Sequence, residues 1–84
     1  MHEVSLVHAL FDQVDRALVE HSTAALLQVT VRIGTMAGVE SELFQTAFDG
    51  TKAERGYPVV GLQVVSTEGT DLILERMELE VRDV

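Results

Sequence analysis

Leu27-Gln28-Val29-Thr30-Val31-Arg32-Ile33 alternates apolar and polar side chains. A period of two puts Leu27, Val29, Val31 and Ile33 on one face of an extended strand, with Gln28, Thr30 and Arg32 on the other. A strand with one apolar face has to be covered on that face by another element. The sequence supplies a candidate on each side. Upstream, Val7, Leu10, Phe11, Val14, Ala17 and Leu18 recur at spacings of three and four, while His8, Asp12, Asp15, Arg16 and Glu20 fall opposite. This predicts an amphipathic helix over about residues 5–21. Ser5 is positioned to cap its first amides, and His21 to sit beside its last carbonyls. Downstream, Gly34 and Gly38 punctuate the chain. From Ser41, Leu43, Phe44, Ala47 and Phe48 restore helical spacing until Gly50, predicting a second, shorter helix.

Two further strands follow. Gly56-Tyr57-Pro58 marks a turn into the valine-dense run Val59–Val65, where Gly61 suggests a bulge or a close backbone approach. The last strand is expected over Leu72–Val81, with Ile73, Met77, Leu79 and Val81 on one face and Glu75 interrupting it as a bulge. Ser66–Thr70, with Gly69 inside, reads as a tight hairpin loop between these two strands. The order is α-β-α-β-β, and the fold class is α+β: a small three-stranded sheet packed against two helices. With 84 residues, no repeat and no linker, one domain over residues 1–84 is expected. The Val59–Val65 edge offers a route to a homodimer.

Charge and composition exclude several functions. Fourteen acids against six bases give a net charge of −8, so nucleic acid and anionic membrane surfaces are not expected as partners. There is no cysteine, which removes disulfides, thiolate nucleophiles and cysteine-based zinc sites, and no zinc is expected. The N-terminus has no basic region followed by a long apolar core, and the longest apolar run is Ala24–Leu27, so the expected location is cytoplasmic. No phosphate loop, nucleophile elbow or His-Glu-x-x-His pair is present. Glu40 with Glu42, and Glu78 with Glu80, read as solvated acids. No catalytic residue and no enzyme activity are expected.

The first three residues are different. Met1-His2-Glu3 places an imidazole one residue from the terminal amine. Those nitrogens, with the deprotonated amide of His2, can form fused chelate rings around one ion, and the amide of Glu3 can complete a square. Planar nitrogen ligation suits Ni(II) or Cu(II), with Cu(II) generally the tighter, whereas Zn(II) prefers a tetrahedron. The Glu3 carboxylate can add an axial oxygen or orient the imidazole. On composition alone, a frayed polar chain end is the stronger account of these residues. His8, one turn before Asp12, is expected to make an i,i+4 contact rather than to bind metal.

The opening Met1-His2-Glu3-Val4-Ser5-Leu6 resembles that of the HypA/HybF family. Val31-Arg32-Ile33-Gly34 and Met36-Ala37-Gly38-Val39-Glu40 resemble the family stretch preceding its second helix, whose paired aromatics match Phe44 and Phe48. Leu72–Val81 resembles the family's last strand. The resemblance implies a nickel metallochaperone domain that binds Ni(II) through His2, with Met1 by its amine and Glu3 by its backbone and carboxylate. It implies delivery, with a HypB-type GTPase, to the large subunit of [NiFe]-hydrogenase or toward urease. One departure is large: the family inserts a zinc module with two Cys-x-x-Cys pairs between its last two strands, where this chain has only Ser66-Thr67-Glu68-Gly69-Thr70. The alternative is a protein-interaction module that keeps the fold without transferring metal.

Overall fold

The computed structural model describes residues 3–81. Helix α1 spans Glu3–Leu18 and runs into a 3₁₀ turn, Val19–His21. Strand β1 (Ala24–Gly34), helix α2 (Ser41–Thr51), strand β2 (Gly61–Thr67) and strand β3 (Leu72–Val81) follow. The α-β-α-β-β order and the α+β class are as expected. Helix α1 is already formed at Glu3, so Ser5 lies inside it and is no cap; His21 does close the 3₁₀ turn. Among the described residues no helix is long and apolar enough to cross a membrane.

The sheet differs from the expected hairpin. Its strand order is β2-β1-β3. Strand β2 pairs parallel to β1, from Gln28↔Gly61 to Gly34↔Thr67, and β3 pairs antiparallel to it, from Ala24↔Val81 to Ile33↔Leu72. Ser66–Thr70 is therefore part of a crossing rather than a β2–β3 hairpin. The parallel pair follows from the long connection through α2, since parallel neighbours need a crossover. The crossing itself has to span two strand spacings, about 10 Å, which residues 68–71 reach easily. It passes over the end of β1. The amides of Gly34, Thr35 and Met36 donate to the carbonyls of Asp71 (2.8 Å), Thr67 (2.7 Å) and Gly69 (2.8 Å). A Cβ on Gly34 would stand 2.2 Å from the carbonyl oxygen of Gly69, so only glycine lets the two backbones meet here.

Two irregularities in the β1–β3 ladder reset which side chains face inward. The register shifts between Leu26 and Gln28, and again between Thr30 and Val31. The first leaves Leu27 without a partner. Leu26 is buried and Leu27 is 48% exposed, which corrects the expected inward position of Leu27. The second leaves Glu75 as the extra residue, where a bulge was expected. An extra residue reverses the alternation, so Leu72 and Leu74 before it, and Met77 and Leu79 after it, pack on the core. Ile73 is exposed rather than inward, and so is Val81 at the strand end. Strand β2 begins two residues later than predicted, leaving Val59 exposed and Val60 buried.

Both helices lie on one face of this sheet. Helix α1 contributes Val7, Leu10, Phe11 and Val14 to the core, β1 contributes Leu26, Val29, Val31 and Ile33, and α2 contributes Phe44 and Phe48. Fully burying a side chain of this size is worth about 1.5–3 kcal/mol relative to exposure.

The Gly34 contact gives a stability prediction. Gly34→Ala should destabilise the fold by about 1–3 kcal/mol, the usual cost of overpacking, because the obstacle is backbone rather than a side chain that can turn away. Gly50, inside α2 with nothing within 4 Å of where a Cβ would stand, should behave oppositely. Gly50→Ala is expected to stabilise by up to about 1 kcal/mol. Urea unfolding of the two variants beside the parent checks both signs.

Candidate metal centre

The three residues predicted to hold metal divide between two situations. Met1 and His2 lie outside the described residues. Glu3 is the first described residue, half-buried at the start of α1. It lines a groove with Val4, Leu43, Thr46 and Ala47 from the first turn of α1 and the first half of α2. Among the described residues, no group of three or more His, Asp or Glu side chains comes together in a way that could hold a metal ion.

His8 has a different role from the one expected of it. The Nη1 of Arg55 lies 3.1 Å from His8 Nδ1 and donates to the His8 carbonyl at 3.2 Å. Arginine has no acceptor, so Nδ1 must accept, the imidazole proton sits on Nε2, and the Nδ1 lone pair is occupied. His8 Nε2 is 3.8 Å from Glu54 Oε1. The expected partner, Asp12, instead receives the other end of Arg55: Nη2 is 2.8 Å from Asp12 Oδ1 and 3.0 Å from Asp15 Oδ2. One guanidinium thus holds three successive positions of the polar face of α1. Its Cζ lies 5.6 Å from the centre of the Phe11 ring, within the range of a cation–π contact.

Beneath this clasp the aromatic rings are stacked. Phe11 stacks on Phe48 at 5.1 Å between centres and on Tyr57 at 5.5 Å. The Tyr57 hydroxyl donates to Asp15 Oδ1. Residues 55 and 57, in the turn after α2, therefore fasten that turn to α1. Sequence reasoning missed this cluster because its contacts join residues 40 or more positions apart. The one available signal was an arginine in a chain poor in bases, together with two aspartates three apart on one helix face.

The titration behaviour follows from these contacts. The hydrogen bond from Tyr57 is the largest effect lowering the Asp15 pKa; partial burial opposes it, and Arg55 adds to it. Burial, then the hydrogen bond to Asp15, pushes the Tyr57 phenol up to about 12. Asp12 and then Asp15 raise Arg55 further above its ordinary value.

These shifts predict a pH dependence with two limbs. Asp15 is depressed in the folded state, so its contribution is present above the unfolded value near 3.8 and is lost as pH falls through the lower folded value. Tyr57 is raised, so its contribution is present below its ordinary value of 10.0 and is lost as pH rises toward about 12. Tyr57→Phe should abolish the alkaline limb and reduce the acid one. Denaturant midpoints measured across the pH range for both proteins would show this; identical profiles would contradict it.

Comparison with known proteins places the chain. The family profile described as hydrogenase/urease nickel incorporation, metallochaperone, hypA matches residues 1–82. The hydrogenase maturation factor HypA of Shewanella baltica (strain OS185) is 41% identical over 54 residues, covering 64% of this chain and 46% of that protein. The hydrogenase maturation factor HypA of Nitrosospira multiformis is 33% identical over 81 residues, covering 96% of this chain and 62% of that protein. The chain spans about half the length of the Shewanella relatives it matches. In three dimensions it is similar to the solution structure of the Ni metallochaperone HypA from Helicobacter pylori. That match has a TM-score of 0.71 at 20% identity and covers 90% of this chain and 72% of the other.

Proposed function

The chain belongs to the HypA family of hydrogenase/urease nickel-incorporation metallochaperones, and we propose that it carries Ni(II) as cargo during maturation of [NiFe]-hydrogenase. The observation that carries this reading is the start of the family match at residue 1, which brings Met1-His2-Glu3 within it. In this reading the Met1 amine, the His2 imidazole and the amides of His2 and Glu3 form the square around nickel, and the Glu3 carboxylate stands to one side. A terminal chelate suits a carrier because its ligands can be exchanged one at a time against those of a recipient. The protein binds and releases an ion rather than turning over a substrate.

Residues 1–84 act in this reading as one nickel-binding domain in the cytosol, and the crossing at 68–71 occupies the place of the family's zinc module. With no cysteine in the sequence, a cysteine-based zinc site has no ligands here, and nickel is the metal of this reading. The partners are a HypB-type GTPase and the hydrogenase large subunit, with urease as another destination for the same cargo.

The test is a titration of the untagged chain beginning at Met1 with Ni(II), followed by calorimetry and by the visible d–d band, beside His2→Ala. A one-to-one complex with a square-planar spectrum, lost in His2→Ala, is the expected result. Binding should also tighten as pH rises through and above about 6.5, the ordinary imidazole value, because the ligands must lose protons to bind. If parent and variant bind equally weakly, the terminal site is not functional and the chain is an interaction module on a HypA fold.

A further inference from the structure

Val4 and Leu43 are 54% and 51% exposed, although each sits on a helix whose neighbouring positions build the core. They face the same groove, of about 320 Å³, together with Glu3, Thr46 and Ala47. Single exposed aliphatic residues are commonplace. Two that line one groove from different helices, beside Ala47, form a seat for an apolar side chain from outside.

The charge around this seat has one sign. Glu3 is part of the wall. Glu42 precedes Thr46 by four on α2, so helical spacing sets that acid beside the wall, and Glu40 stands at the cap position just before the helix. The Thr46 hydroxyl donates to the Glu42 carbonyl at 3.0 Å, fixing that turn. No lysine or arginine occurs in residues 1–15 or 33–51. The two cations that follow α2 are engaged elsewhere: Lys52 donates to the Val60 carbonyl, and Arg55 holds Asp12 and Asp15.

We propose that this groove docks a partner protein through an aliphatic anchor framed by lysine or arginine, and that this partner is the protein that exchanges nickel with the chain. The proposal rests on the nickel-carrier reading above. Three observations support it: the aliphatic seat calls for an apolar anchor, the acids around it call for a basic rim, and Glu3 in its wall is bonded directly to His2. A protein seated here touches the residue next to the imidazole that has to give up the ion. The anchor supplies the affinity, and the charged rim supplies orientation and the rate of encounter.

The test uses a synthetic amphipathic helical peptide of leucine and lysine as probe, with the same peptide carrying glutamate for lysine as its control, both by calorimetry against the full chain. The lysine peptide should bind one-to-one and the glutamate peptide should give no heat. Leu43→Asp should weaken binding by at least about tenfold, as expected for an anchor, even though it adds a negative charge that simple attraction would favour. Val4→Ser should weaken it from the other wall, and Val59→Asp, which does not line the groove, should leave it unchanged. Circular dichroism establishes that each variant is folded. Equal binding by Leu43→Asp and the parent, or comparable binding of the glutamate peptide, would overturn the proposal. Nickel uptake is measured separately on the same variants. Peptide binding lost with nickel uptake retained in Leu43→Asp supports the docking groove, whereas groove binding by a parent chain that takes up no nickel removes the carrier reading and the exchange role with it.

Discussion

The position of β1 constrains everything else in this molecule. It is the only strand of the sheet with a partner on each edge, and Val29 and Val31 on its inner face are wholly excluded from solvent. A central strand with both edges hydrogen-bonded and one face apolar leaves the helices a single place to go. They share the inner face, and their contact is the Phe11–Phe48 stack. The Arg55 clasp acts above that stack, closing the polar side of α1 over the aromatic pair. The start of α1, and with it the residue after His2, is thereby set beside the first turns of α2.

Much of this was legible in the sequence, for a clear reason. Where one face is buried and the other wet, the apolar period reports the element directly, as it does for Val7–Leu18 and for Val29–Ile33. The failures have equally specific causes. A bulge is a single extra residue that changes no composition, yet it reverses every side chain beyond it. Reading Leu27 as inward follows from assuming an unbroken ladder, and reading Ile73 with Met77 follows from marking a bulge at Glu75 without reversing the face across it. The Ser66–Thr70 segment has the glycine-containing composition of a hairpin loop, and nothing local distinguishes that from a crossing over a third strand. What distinguishes it is Gly34, which lies far away in sequence.

The candidate site was legible in another way. A chelate made of a terminal amine, backbone amides and one imidazole leaves almost no side-chain pattern, so Met1-His2-Glu3 stands out by resemblance and hardly at all by physics. The clasp is the opposite case. Its side chains are ordinary, and its existence depends on a tertiary approach between residues 8–15 and 54–57. In an acidic chain the placement of the few bases also matters. Among the described residues they lie away from the early turns of both helices, whose charged side chains there are Glu3 and Glu42.

The crossing above Gly34 also bears on how much chain this end of the sheet can carry. Its two feet, Thr67 and Asp71, are each fastened to β1 and not to one another, so the span between them can be exchanged without undoing either ladder. Lengthening such a span costs little, about 0.6 kcal/mol of closure entropy for each doubling. The crossing is thus a place at the end of the central strand where a longer segment fits between two fixed feet, with the helices and the sheet left as they are.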